Sequence, residues 1–324
     1  MLYPLKFKAI YKEKIWGGTK INTVLGKDFS PLSSCGESWE ISGIEHESNK
    51  VMNGFLKGNT LNELLNVYMG DLVGEKVFDV YGDKFPLLIK FIDAKDNLSV
   101  QVHPDDSLAK KSDIENGKTE MWYVLDAEDH ARIQIGFNTP MTKQKLEKHI
   151  HAGNLEDVLH YIETIAGDVF YIPAGKVHAI GKGVLLAEIQ QSSDITYRLY
   201  DYNRKDSTGN LRPLHLQEAY QAIDYDNNEQ EVLRSIPECN KTLTLVRSPF
   251  FITNVMLFDK KVEKIYADMD TFVIYICLEG HARIQYAEGE ECISKGECLL
   301  MPAIIEDAVF IPDGTCKLLE VYLP

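Results

Sequence analysis

Four residues in three short stretches have the types and spacing of a metal site. Gln101 and His103 lie two apart in Leu98-Ser99-Val100-Gln101-Val102-His103-Pro104. Glu120 follows Lys118-Thr119, and His178 closes Pro173-Ala174-Gly175-Lys176-Val177-His178. Side chains two apart on a strand share a face, so Gln101 and His103 can reach one point. Two imidazoles, a carboxylate and an amide oxygen suit a divalent first-row metal, zinc foremost, and leave room for water or substrate if the site becomes five-coordinate. Against this stands the usual role of a lone strand histidine, a satisfied core or surface group. The three stretches together favour the metal, because each sets a ligand-type residue at a strand end beside turn chemistry.

The elements that must position these residues are strands of one β-barrel. Pro104 lacks a backbone donor and ends the first strand. Glu120 opens the apolar run Met121 to Leu125. The Pro-x-Gly turn before His178 folds the chain back for pairing. Pro86 to Ile92 reads as a buried strand interrupted by Lys90, which needs a partner, a cavity or a path to solvent. Gly36 to Ser42 reads as a strand with polar and apolar faces, a half-exposed edge in which Glu37 and Glu40 face opposite ways. Thr60 with Glu63 forms a capping box for a helix with apolar positions 61, 64, 65 and 68. Residues 142–163 read as two short helices, the second capped by Asn154 and running from Leu155 to Ile162. Arg212 to Ile223 reads as another. His149, His151 and His160 read as solvated helix histidines.

The 324 residues carry a net charge of -15, which argues against non-specific binding to nucleic acid or anionic membranes. An anionic substrate would need a local basic cluster. No apolar run approaches the roughly 20 residues of a membrane helix, and Met1 to Lys6 lacks a signal-peptide core. None of the six cysteines forms a Cys-x-x-Cys pair, which fits a reducing cytoplasm. There is no P-loop and no Gly-x-Gly-x-x-Gly.

The chain also repeats itself. Tyr123-Val124-Leu125 followed by His130-Ala131-Arg132-Ile133-Gln134 resembles Ile276-Cys277-Leu278 followed by His281-Ala282-Arg283-Ile284-Gln285. Gly167 with Pro173-Ala174 parallels Gly296 with Pro302-Ala303. Glu120 then aligns with Val273 and His178 with Asp307, and Phe250 to Phe258 contains no histidine. The second copy therefore keeps the scaffold and lacks the ligand set. His130 and His281 both sit in hairpin turns.

The Gly-x5-Pro-x-Gly-x2-His run from Gly167 to His178 resembles the second motif of cupins. Gln101-Val102-His103-Pro104, with Gly117-Lys118-Thr119-Glu120, resembles type I mannose-6-phosphate isomerases. The likeness extends to Ile15-Trp16-Gly17-Gly18, Gly36 to Glu40, Pro173 to Ala179 and Ser193 to Arg198. It covers most of residues 1–205 and, more weakly, the C-terminal unit. It implies a mainly β fold with helical inserts, a double cupin of jelly-roll barrels. Residues 1–236 would form the metal-bearing catalytic domain, with inserts at about 60–82, 142–163 and 212–224. Residues 237–324 would form a cupin-like domain without a metal site.

The resemblance also implies interconversion of mannose 6-phosphate and fructose 6-phosphate through a cis-enediol. It implies one zinc per chain on Gln101, His103, Glu120 and His178. Arg198 and Lys118 match its active-site arginine and lysine, and Glu188 and Asp194 its later acidic residues. A tyrosine common in the family two residues after the last ligand is Ile180 here. Arg198 could equally pair with Asp201 or Asp194, and Lys118 could be a surface lysine. As a base, Lys118 needs its pKa depressed by zinc and Arg198. Glu188 and Asp194 are rival proton carriers. Lys176, Lys90 and Arg198 are the basic candidates for the phosphate. The expected partner is a phosphosugar, with no nucleic acid and no membrane, in a monomer or weak homodimer. A non-catalytic sugar-phosphate-binding cupin and a metal-dependent cupin enzyme with another substrate, such as a 2-His-1-carboxylate oxygenase, stay open.

Overall fold

The computed structural model describes residues 2–112, 114, 116–205, 209–226 and 232–324. The first half contains strands β1 (Phe7–Lys8), β2 (Ile10–Lys12), β3 (Glu37–Ile41), β4 (Lys50–Val51), β5 (Leu87–Ala94), β6 (Val100–Val102) and β7 (Glu120–Ala127). It continues with β8 (Arg132–Phe137), β9 (Leu159–Glu163), β10 (Val169–Ile172), β11 (His178–Ile180), β12 (Val184–Gln191) and β13 (Tyr197–Tyr200). The second half holds β14 (Lys241–Arg247), β15 (Ile252–Phe258), β16 (Val262–Ile265), β17 (Val273–Glu279) and β18 (His281–Tyr286). It ends with β19 (Gly289–Ser294), β20 (Cys298–Met301), β21 (Asp307–Pro312) and β22 (Cys316–Tyr322).

Two sheets make each barrel. In the first, β10-β7-β12-β5-β3-β2 faces β13-β6-β11-β8-β9. In the second, β14-β15-β22-β17-β20 faces β16-β21-β18-β19. Alternation sorts the side chains. Ile92, Trp122, Val124, Phe170, Leu186, Ile133 and Ile135 fill the first interior, while Phe258, Tyr275, Leu299, Phe310 and Leu318 fill the second. The opposite faces of the two larger sheets pack on each other. One cluster joins Leu87, Ile89, Phe91, Met121, Tyr123, Leu185 and Ile189 to Val255, Ile274, Ile276, Leu319 and Val321. Each such side chain contributes about 1.5–3 kcal/mol by leaving water. This double burial explains why all eight residues of β5 and of β12 are buried, Lys90 and Glu188 among them.

The Thr60–Glu63 capping box forms as expected and starts α2 (Leu61–Val73), followed by α3 (Glu75–Tyr81). Thr142 caps α5 (Lys143–Ala152), which Gly153 ends in the left-handed conformation. The expected second helix of that insert does not form. Leu155–Val158 makes one 3-10 turn and Leu159–Glu163 becomes β9, pairing Ile162 with Ile133. A free edge of β8 and the alternating Leu159-His160-Tyr161-Ile162 outweigh local helix propensity. The last expected helix shortens to α6 (Leu216–Ala222). The remaining helices are α1 (Lys20–Thr23) and α4 (Asp106–Lys111). β3 is not an edge: it lies between β5 and β2. Glu40 is buried beside Lys27 at 2.8 Å, and Glu37 turns inward.

Candidate active site

His178 pairs with Gln101 across β11 and β6, and Glu120 opens β7 opposite Gln190. His103 follows β6. The three strand ends converge, so that His103, Glu120 and His178 each offer a ligand atom within 4.8 Å of the others. All three are buried, and among the described residues no other such group occurs. His178 Nε2 lies 3.3 Å from Glu120 Oε1, and His103 Nε2 lies 3.7 Å from Oε2. The Gln101 amide nitrogen faces His178 Nε2 at 3.2 Å.

The donor set fits a divalent cation. The Lys176 carbonyl accepts from His178 Nδ1 at 2.8 Å, which leaves the Nε2 lone pair for the cluster. Burial holds His103 well below the ordinary histidine range and brings His178 down to about 3. Both rings are therefore neutral, the form a metal needs. The Lys118 ammonium pairs with Glu120 Oε2 at 2.9 Å, and among the described residues no other donor satisfies either Glu120 oxygen. Burial pushes that carboxyl up to about 7. Gln101 would present its oxygen by rotation of the amide.

Alternating charges line the wall above. Lys118 sits 3.2 Å from His103 Nε2. Burial alone would lower its amine, but Glu120 and Glu188 outweigh burial and hold it above the ordinary lysine range. The protein's own charges thus do not supply the depressed lysine expected from the sequence. Trp122 Nε1–H donates to Glu188 at 2.9 Å, and Lys90 lies 3.2 Å from the same carboxylate. Burial opposes the Glu188 charge, yet Lys90 and Lys118 keep its carboxyl below the usual range. This pairing resolves Lys90, which sits over the Trp39 ring at 5.1 Å. Further out, Trp39 Nε1–H donates to Glu37 at 2.8 Å and Lys14 approaches it at 3.2 Å. Against the effect of burial, Lys90 and Lys14 bring the Glu37 carboxyl down to about 2.

Lys118, Glu188, Lys90, Trp39, Glu37 and Lys14 line a cavity of about 450 Å³ together with Gln101, Asp194, Arg198, Lys12 and Arg212. Trp16, Leu98 and Ile180 form its apolar wall, so the residue standing where the family tyrosine is common touches this space. Arg198 Nη1 donates to the Pro213 carbonyl at 2.8 Å. Among the described residues no carboxylate pairs with it: Asp201 pairs with Arg204 and Arg212 instead. Burial, and then the neighbouring Arg212, lowers the Arg198 guanidinium. Asp194 is exposed at the rim. Lys176 is buried under the β10–β11 turn and does not line the cavity. Sequence reasoning missed Glu37, Lys12, Lys14 and Arg212. Glu37 had a signal, since it shares a face with Trp39 and a buried Lys90 demands anionic company.

Paired jelly-roll barrels, one of them enclosing neutral imidazoles and a carboxylate beneath a cationic cavity, define a double cupin with a candidate metal centre. A family model described as phosphomannose isomerase type I, catalytic domain, matches residues 4–142. Mannose-6-phosphate isomerase ManA of Bacillus subtilis is 38% identical over 305 residues, 92% of this chain and 93% of that protein. The mannose-6-phosphate isomerase of Streptococcus mutans is 36% identical over 98% of both chains. The crystal structure of a Bacillus subtilis mannose 6-phosphate isomerase superposes with a TM-score of 0.89 at 34% identity, covering 98% of this chain and 99% of the other. The chain belongs to the type I mannose-6-phosphate isomerase family.

Proposed function

We propose that this chain interconverts mannose 6-phosphate and fructose 6-phosphate through a cis-enediol, with one zinc ion per chain on Gln101, His103, Glu120 and His178. The observation that carries the reading is a buried His-Glu-His cluster that Gln101 and Lys118 connect to a lysine- and arginine-lined cavity, in a chain whose net charge is -15. A cavity of about 450 Å³ accommodates a hexose phosphate. Bound zinc supplies Lewis acidity toward the oxygens at C1 and C2.

The chain's own residues supply the rest. Arg198, free of carboxylate partners among the described residues and next to Arg212, gives the phosphate a forked, permanently charged seat. Two side chains can carry the proton between C2 and C1. Glu188 is ionised and fixed by Lys90 and the Trp122 indole. Lys118 stands beside Glu120. Asp194, at the exposed rim, is less well placed for that step. Trp16, Trp39 and Ile180 keep bulk water from the enediol.

The test is a coupled assay on protein stripped with chelator and resupplied with zinc. Turnover restored by zinc supports the reading. Absence of turnover with zinc demonstrably bound would move the chain to the sugar-phosphate-binding alternative.

A further inference from the structure

A second groove lies on the other side of the small sheet. It measures about 390 Å³ and is bounded by Arg132, Gln134, Glu156, Tyr161, Lys182 and Tyr202, among others. Strand alternation creates it. Ile133 and Ile135 of β8 point into the barrel, so Gln134 points outward. Ile180 touches both this groove and the candidate active site, so a single side chain's thickness separates them there.

Three observations suggest that the groove holds a ligand. Gln134 is only 2% exposed, and its amide nitrogen donates to the Gly136 carbonyl at 2.8 Å. Its oxygen accepts no hydrogen bond among the described residues. A buried acceptor left unmet costs about 1–3 kcal/mol, and it asks for an O–H or N–H donor. Secondly, two tyrosines flank the space, each with an arginine against its ring: Arg132 at 6.0 Å from Tyr161 and Arg204 at 5.3 Å from Tyr202. Thirdly, Tyr202 and Asn203 both adopt positive φ, 54° and 52°. Residues with side chains enter that region at a cost. Here the Asp201–Arg204 pair and a bond from Arg204 to the Asn97 carbonyl fix the turn that presents the Tyr202 ring.

Charge separates this groove from the main cavity. Arg132 and Lys182 face Glu156 and Asp157, so the charged lining sums to zero, whereas lysines and arginines outnumber carboxylates in the active-site wall. A phosphorylated sugar gains nothing here. A neutral polyol with one apolar face does, because its ring stacks on tyrosine, its hydroxyls reach the Glu156 and Asp157 carboxylates, and a small turn of the buried Gln134 side chain brings its oxygen to a hydroxyl donor.

We infer that this groove binds a neutral hexopyranose, independently of the phosphosugar cavity. Methyl α-D-mannopyranoside is a suitable probe, since a glycoside cannot ring-open and be turned over. Saturation-transfer NMR on the full chain should detect it with a Kd on the order of 1 mM. The signal should persist under excess fructose 6-phosphate. Gln134→Leu and Tyr161→Ala should each weaken it at least about tenfold, with isomerase activity and thermal melt as controls for folding. Tyr202→Ala gives a third arm should one of these variants fail to fold. The inference fails if no transfer appears at about 20 mM sugar, or if the signal survives the variants. It also fails if fructose 6-phosphate displaces the glycoside, which would place the sugar in the main cavity.

Discussion

The two barrels share one framework and differ in what their interiors hold. In the first, Glu188 of β12 stands opposite Lys90 of β5 and Trp122 of β7. In the second, Glu320 of β22 stands opposite Asn254 of β15 and Tyr275 of β17. The hydrogen bonds correspond. Trp122 donates to Glu188 at 2.9 Å, and the Tyr275 hydroxyl donates to Glu320 at 3.0 Å. Where Lys90 approaches Glu188 at 3.2 Å, Asn254 donates to Glu320 at 2.8 Å. Yet the ligand positions diverge. Register puts Lys264 where Gln101 stands, Val273 where Glu120 stands, and the inward-facing Ala308, rather than the exposed Asp307 that the sequence alignment offers, where His178 stands. Phe310 packs against Tyr275 at 4.7 Å inside the second barrel, where the first keeps a cavity. A buried carboxylate held by an aromatic donor therefore belongs to the scaffold. Chemistry needs ligands at the strand ends and space above them.

Breaking the ligand set should have the largest effect. Glu120→Ala or His178→Ala should lower kcat/KM by about 10³-fold or more, roughly 4 kcal/mol, and lose bound metal by elemental analysis. The register mate Val273→Ala should leave kcat/KM within about twofold, since it touches no reacting group. Placing a carboxylate in the second barrel by Val273→Glu should cost about 3–5 kcal/mol in denaturant unfolding, as an unpaired buried charge. Glu188→Gln should cut kcat by about 10²-fold with KM little changed. Glu320→Gln should spare kcat and lower stability by about 1–2 kcal/mol, because Lys264 at 2.7 Å loses its counter-charge.

The smallest effect is a pH dependence particular to the first barrel. Glu37 falls from an ordinary 4.5 to about 2 in the fold. The unfolded chain therefore binds the proton more readily. Its stabilisation is complete above about pH 4.5 and is lost as pH falls toward 2. With allowance for solvent at the cavity mouth, it is on the order of 1–2 kcal/mol. Equilibrium unfolding of wild type and Glu37→Gln across that window should converge at the acid end.

Local pattern revealed much of this architecture. Period-two spacing around Gln101 and His103, the Thr60 capping box and the repeated His-Ala-Arg-Ile-Gln all reflect short-range geometry that the fold keeps. What stayed hidden depended on pairing partners far along the chain. The alternation of Leu159 to Ile162 became meaningful only beside β8. The absence of histidine from Phe250 to Phe258 says nothing about the ligand strand, because β15 there is the counterpart of β5, and β16 is the counterpart of the ligand strand β6. Glu37 looked like an edge residue because neither Lys14 nor Lys90 is near it in sequence. The cationic rim escaped for the same reason, since Lys12, Lys14 and Arg212 meet only across the barrel mouth.

The strand order of the second large sheet has a consequence for synthesis. β22 lies between β15 and β17 and contacts both along its length, yet it follows every other strand of that sheet in the chain. A ribosome that has released β14 to β21 has produced two half-sheets with no strand to join them. The apolar face that should cover Leu185 and Ile189 is then still missing Leu319 and Val321. Maturation of the first barrel's outer wall must wait for a strand translated some 130 residues after β12.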